Sequence, residues 1–162
     1  MIKNLYLVWP LISLLNLNTQ AQSTTTYAGT YKYGSGNEAD AGGVVKVYPE
    51  SDSTILFYID ICIGEPSYNS GSLYGRVTIN RGQGVFSTKN DYSNIGCKWL
   101  FDFVNDTLKL STTDHQYECG FGNGVVVDGC FSRISNIIPE FFENGGSRKV
   151  YFKDTKPEDY YK

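Results

Sequence analysis

Methionine and histidine occur once each in the 162 residues, and charged residues make up only 19%. Alanine and leucine are scarce beyond residue 20, which argues against a helical bundle, since such bundles are built from good helix formers. Lys and Arg total 14 against 17 Asp and Glu, with no basic stripe. This speaks against a nucleic-acid partner, whose affinity comes from clustered Lys and Arg. No apolar run reaches the roughly 20 clean residues that a membrane helix needs. The sequence has no G-x-S-x-G, no H-E-x-x-H, no P-loop and no dinucleotide-binding fingerprint. Its cysteines form no C-x-x-C pair and have no neighbouring histidines, so no metal and no cofactor is expected. Repeats and low-complexity stretches are also missing.

What the chain has is aromatic: 13 tyrosines, 9 phenylalanines and 2 tryptophans, alongside 17 glycines. That much aromatic surface with so few charges excludes a disordered chain and is enough to close one core. The length fits one domain.

Residues 1–21 carry Lys3, an apolar stretch from Leu5 to Leu17 and a small residue, Ala21, before the polar Gln22-Ser23-Thr24. This is the order of a secretory signal peptide, and it predicts a secreted or periplasmic protein of residues 22–162. Loss of Lys3 makes the remainder one charge more acidic. The first cysteine is Cys62, so no lipid-anchoring cysteine stands at the cleavage site.

From Tyr27 to Arg133 apolar residues alternate with polar ones between turn residues, the period of half-buried strands. The runs are 27–33, 44–48, 54–63, 73–79, 85–88, 97–104, 107–111, 117–121 and 125–133. In 97–104 the apolar face is Trp99, Phe101 and Phe103, against Lys98 and Asp102; in 107–111 it is Leu108 and Leu110, against Lys109. Tight turns are expected at 81–84, at Asn105-Asp106 and at Asn123-Gly124, with long connections at 34–43, 64–72, 89–96 and 112–116. Long and short connections alternate, so a meander gathers the long loops at one mouth. Open edges would invite pairing with other chains, so closure is expected, first strand against last. The reading is all-β: an antiparallel up-and-down barrel of 8–9 short strands over 22–133. Its C-terminal extension, 134–162, packs on the wall, with a strand-like 149–152 and a helical turn at 157–161.

Four cysteines in a small secreted chain point to disulfides, for which three connectivities exist. All four fall near the long-loop mouth. Cys97 and Cys119 flank one hairpin, which favours their pairing and leaves Cys62 with Cys130.

His115 stands in a polar loop, and its neighbour Asp114 does not by itself make a catalytic dyad; the chain reads as a non-enzyme. The mouth collects Glu38 and Asp40, Glu65 and Tyr68, Asn90, Asp91 and Tyr92, and Asp114, His115 and Tyr117. Tyrosine in loops adds contact area at low entropic cost, and an acidic rim attracts a cationic partner. The bulky core candidates Tyr27, Tyr31, Tyr33, Trp99, Phe101, Phe103 and Phe131 favour a filled interior over a hollow one.

Gly29-Thr30-Tyr31 on the first strand and Arg133 at the end of the last resemble the calycin (lipocalin-like) arrangement. There a G-x-W motif opens the barrel and a late arginine packs over its ring; here Tyr31 stands in the place of tryptophan. The resemblance implies a cation–π closure by Gly29, Tyr31 and Arg133, and binding of small apolar ligands or of other proteins. The stretches Cys97-Lys98-Trp99-Leu100-Phe101-Asp102-Phe103, Cys119-Gly120-Phe121-Gly122 and Gly129-Cys130-Phe131-Ser132-Arg133 also resemble uncharacterised secreted barrel proteins of bacteria. Ser70-Gly71-Ser72-Leu73-Tyr74 is similar to the loop with which small periplasmic barrel inhibitors enter c-type lysozymes. That resemblance implies an inhibitory loop of Ser70, Ser72 and Tyr74. The function expected is a secreted, monomeric, protein-directed binding module whose partner is a cationic secreted protein such as a lysozyme. A small apolar ligand carrier and a structural envelope protein are the alternatives.

Overall fold

The computed structural model describes residues 23–37, 39–88 and 96–162. The expected signal segment lies outside these residues, as do Glu38, Asn90, Asp91 and Tyr92.

Eight antiparallel strands form one sheet: β1 (Gly29–Tyr33), β2 (Gly42–Pro49), β3 (Thr54–Cys62), β4 (Ser70–Thr78), β5 (Gln83–Ser87), β6 (Lys98–Val104), β7 (Thr107–Asp114) and β8 (Gly129–Ser135). Their order is β4-β3-β2-β1-β8-β7-β6-β5. The first strand therefore pairs with the last, Tyr31 opposite Arg133, and the sheet curls into a nearly closed up-and-down barrel. The ladder is missing at one seam, between β4 and β5, where a single bridge joins Asn80 to Gln83.

Alternation sets the two faces of this wall. Val45, Val47, Ile55, Phe57, Ile59, Val77, Trp99, Phe101, Leu108, Leu110 and Phe131 point inward and are buried. Rings fill the interior: Phe57 lies 4.8 Å from Phe101 and 4.9 Å from Phe86, and Phe86 lies 5.2 Å from Trp99. Tyr33 departs from the expected core, being 40% exposed at the rim while leaning on Phe131.

β1 and β8 are joined by side chains as well as by the ladder. The Arg133 guanidinium sits 5.2 Å from the Tyr31 ring centroid, and its Nε donates to the Tyr31 hydroxyl at 3.1 Å. A terminal nitrogen of Arg133 donates to the Thr26 carbonyl at 2.8 Å, and the Tyr31 hydroxyl donates to the Tyr27 carbonyl at 2.8 Å. Burial raises the Tyr31 hydroxyl pKa, with Arg133 acting against it. Gly29 has φ 141°, and a Cβ there would collide with the Ser135 carbonyl oxygen; only glycine lets β8 pass so close.

The extension packs on the outer wall. β9 (Phe141–Glu143) and β10 (Lys149–Tyr151) form a hairpin, followed by the short helix α1 (Pro157–Tyr160). Phe142, Val150 and Phe152 cover Leu56, Tyr58 and Tyr74, the outward residues of β3 and β4, in a second core that shares no residue with the first.

Two expected strands change. Residues 117–121 form no strand; a 3-10 turn at Gln116–Glu118 stands there instead. His115 at φ 49° and Gly120 at φ 77° bracket it in left-handed conformations, which end an extended run. Val125 and Val127 are buried yet lie before β8, so Asn123-Gly124 is part of one long connection, 115–128, and joins no hairpin.

Candidate functional site

Successive strands run in opposite directions, so the strand ends that flank 34–41, 63–69, 88–97 and 115–128 lie at one end, and 50–53, 79–82 and 105–106 share the other. Long connections are thus sorted from tight turns, except that Asn123-Gly124, expected as a tight turn, falls in a long one, and 34–41, 63–69 and 115–128 brace one another. The Glu65 N–H donates to the Ala39 carbonyl at 2.9 Å, joining the first loop to the second. The Asn69 side-chain amide donates to the Asn123 carbonyl at 2.8 Å, and the Gly122 N–H to the Ser70 carbonyl at 3.0 Å.

The connection 115–128 crosses the mouth. Phe121 lies against Gly71, where a Cβ would collide with the ring, and 5.7 Å from Trp99. Val125 and Val127 drop into the inner core. The crossing is pinned at its start by the Cys97–Cys119 disulfide and near its end by Asp128, whose carboxylate accepts the Thr112 N–H at 2.9 Å and hydroxyl at 2.6 Å. The Trp99 indole N–H donates to Cys119 Sγ at 3.2 Å. The mouth is capped by packed side chains.

Of the expected disulfides, Cys97–Cys119 forms and Cys62–Cys130 does not; both of the latter are free cysteines. The strand order explains this. β3 and β8 are separated by β2 and β1, which puts them about 14 Å apart at the usual ladder spacing, twice the reach of a bridge.

Asp40, Glu65, Tyr68, Asp114, His115 and Tyr117 all stand exposed at the loop end. Asp40, Glu65 and Tyr68 come together across the braced first and second loops. The Tyr68 hydroxyl donates to Glu65 Oε1 at 3.0 Å, and the Ser35 hydroxyl to Asp40 Oδ2 at 2.7 Å. The second group lies two strands beyond β1 round the wall, at the end of β7. His115 Nε2 is 3.1 Å from Asp114 Oδ1, and Lys98 Nζ is 3.8 Å from Asp114 Oδ2. Among the described residues no group of three or more His, Cys, Asp or Glu could hold a metal.

Ser70, Ser72 and Tyr74, expected in a loop, stand in a strand. They belong to β4 and pair along β3, Ser70 with Cys62, Ser72 with Asp60 and Tyr74 with Tyr58. Tyr74 is buried under the extension, and its hydroxyl donates to the Thr155 carbonyl at 2.7 Å. The Ser/Gly spacing is shared by loops and by strands that must admit a close neighbour; here Gly71 makes room for Phe121, and Gly75 for Phe57 and Phe86.

The site that sequence reasoning missed is in the wall. A groove of about 850 Å³ opens along the β4–β5 seam, lined by Leu73, Tyr74 and Arg76 on one side, Phe86 and Thr88 on the other, and Tyr161 above. Beside it, charges tie the C-terminal residues to β4. Arg76 grips Glu50 through Nε at 2.6 Å and through a terminal nitrogen at 2.9 Å. Arg76 also binds Glu158, and Lys156 Nζ reaches Glu50 at 2.8 Å. The hydrogen bonds from Arg76 hold the Glu50 carboxyl below the usual glutamate range, against the opposing effect of burial. Burial pushes the Tyr58 hydroxyl up to about 12 and raises Tyr74 as well. The only hint in the sequence was that 134–162 is too aromatic for a free tail.

Comparison with protein-family models, with curated proteins and with solved structures finds no match. Among the described residues no helix is long and apolar enough to cross a membrane.

Proposed function

We propose that the chain is a secreted, non-enzymatic binding protein of calycin-like build that engages another protein with its loop end. The observation that carries this is the capped, ring-filled barrel, which directs recognition to the outside. At one end it carries cross-braced loops with Asp40, Glu65, Tyr68, Asp114 and Tyr117 exposed. Bracing lowers the entropy lost on binding, and the acidic side chains favour a cationic secreted partner. With Ser70–Tyr74 in a strand, contact falls to the loops themselves. The interior packing weighs against the small-ligand carrier.

The test uses a c-type lysozyme as the cationic probe against the full chain at low salt. Neutralising Asp40, Glu65 and Asp114 together (to Asn, Gln and Asn) should weaken binding about tenfold, at roughly half a kcal/mol per exposed charge. Asp52→Asn, at the opposite end, should leave it unchanged. No saturable binding, or equal loss from Asp52→Asn, overturns the reading.

One observation favours the structural alternative. Ile134, at the end of β8, and Ile137 and Ile138, just after it, are 61%, 75% and 41% exposed, an apolar strip of the kind that marks contact surfaces. If it carries the function, Ile134→Ser with Ile137→Ser releases the protein from the cell-envelope fraction without altering lysozyme binding.

A further inference from the structure

We propose that the β4–β5 groove is a docking site for an extended polypeptide segment of another protein, which adds as a strand along the open edge of β4 where Tyr161 now stands. This is a second surface, distinct from the loop end.

An antiparallel strand directs the backbone groups of alternate residues to opposite sides. The Tyr161 hydroxyl accepts the Tyr74 N–H at 2.8 Å and donates to the Tyr74 carbonyl at 3.1 Å. Tyr74 therefore aims both backbone groups into the seam, and Ser72 and Arg76, two residues either side, share that direction. On the facing strand, Gln83 exchanges both of its backbone bonds with Asn80 across the seam, at 2.7 and 3.0 Å. Val85 and Ser87 follow it in phase. Beyond that bridge no ladder joins the two strands, and the groove opens between them toward the loop end.

Two rows of alternating donors and acceptors are matched by another backbone, and the chain already supplies a partial substitute for one. The hydroxyl of Tyr161 makes, from a single atom, the pair of bonds that a neighbouring strand residue would make with Tyr74. Because β4 and β5 run in opposite directions, an inserted segment lies antiparallel to β4 and parallel to β5. Its alternate side chains would meet Leu73 and Phe86, partly buried residues packed on the inner core that line the groove. Arg76 is paired with Glu50 and Glu158, and Glu118 lines the groove only with the residues next to Cys119 at the loop end, so selection beside Tyr161 rests on backbone and apolar fit. Binding here is therefore insensitive to salt, unlike binding at the loop end.

The test titrates the full chain with a blocked eight-residue peptide alternating valine with threonine and glutamine, followed by amide NMR. Shifts should be confined to β4, β5 and residues 157–162 and should be unchanged when salt is raised. Tyr161→Phe removes the competing hydroxyl and should tighten binding about fivefold, the worth of one ordinary hydrogen bond. The same peptide N-methylated on alternate residues, in either phase, should lose binding in the phase that faces β4. The proposal is overturned if no shifts arise in β4 and β5 with either protein, if both N-methylated peptides bind as well as the parent, if Tyr161→Phe weakens binding, or if this edge pairs with a second copy of the chain.

Discussion

Replacing Phe142 with alanine tests whether the extension is an independent second core. The ring is fully buried, stacked on Tyr58 at 4.0 Å and flanked by Tyr74 at 4.8 Å, Phe152 at 5.4 Å and Tyr160 at 5.7 Å. Phe→Ala in a core costs about 3–5 kcal/mol. Four ring partners facing the void place this site in the upper half of that range, since each aromatic pair adds about 0.5–1.5 kcal/mol beyond area. The loss should fall unevenly, because the outer cluster shares no residue with the inner one. Phe142→Ala should release the residues after β8, 136–162, from the wall while the barrel stays folded, uncovering Leu56, Tyr58 and Tyr74. Limited proteolysis with mass spectrometry would show cleavage within 136–162 in conditions where the wild type is intact, and urea unfolding would split into two transitions. Phe101→Ala, in the inner core, should cost a similar amount but unfold barrel and extension in one transition. If Phe142→Ala changes stability by less than about 1 kcal/mol, or if both variants unfold in a single step, the two-core argument is wrong.

Other outcomes follow from particular contacts. Denatured without reductant, the protein should show two reactive thiols, Cys62 and Cys130; reduction should cost about 3 kcal/mol in urea unfolding, because the Cys97–Cys119 bridge closes a loop of 22 residues. Glu50 is held below its ordinary pKa by Arg76, so its contribution is present above the unfolded value of about 4.3 and is lost as pH falls through the folded one. Acid titration of 134–162 protease resistance should therefore fall below about pH 4, and Glu50→Gln should flatten that fall. Gly29→Ala should destabilise the barrel by more than about 1 kcal/mol in thermal unfolding, since its φ is left-handed and Ser135 blocks the added carbon.

The barrel was legible because alternation and turn residues act locally. Trp99, Phe101 and Phe103 announce an inner face, and the alternation of long with short connections sorts the loops without knowledge of the pairing. The same rule failed over 117–121, where Tyr117, Cys119 and Phe121 alternate as a strand would. Left-handed His115 and Gly120 divert that stretch across the mouth, and a histidine at φ 49° gives no compositional warning. Cys62 and Cys130 were both placed correctly at strand positions; what the pairing required was the order of strands round the wall, which depends on all the registers together.

The seam was the least legible feature, because it is set by where a ladder stops. The strands β4 and β5 are joined by the tight connection Ile79–Gly82, and a short turn ordinarily starts a hairpin that continues. Here the pairing ends after one bridge while Gly75 and Phe86 stay close: a Cβ on Gly75 would meet the Phe57 ring at 2.7 Å and Phe86 Cε2 at 2.8 Å. A large ring on one strand thus stands against a glycine on the other, filling the inner side of the seam and leaving its outer side open. The aromatic extension then docks beside that opening, with Tyr74 contributing its ring to the outer core and its backbone to the edge. A groove flanked by two strand edges and partly covered by Tyr161 follows from Gly75 and the two rings packed on it, and the substitution Gly75→Val should displace both Phe57 and Phe86, lowering stability in urea unfolding and reshaping the groove.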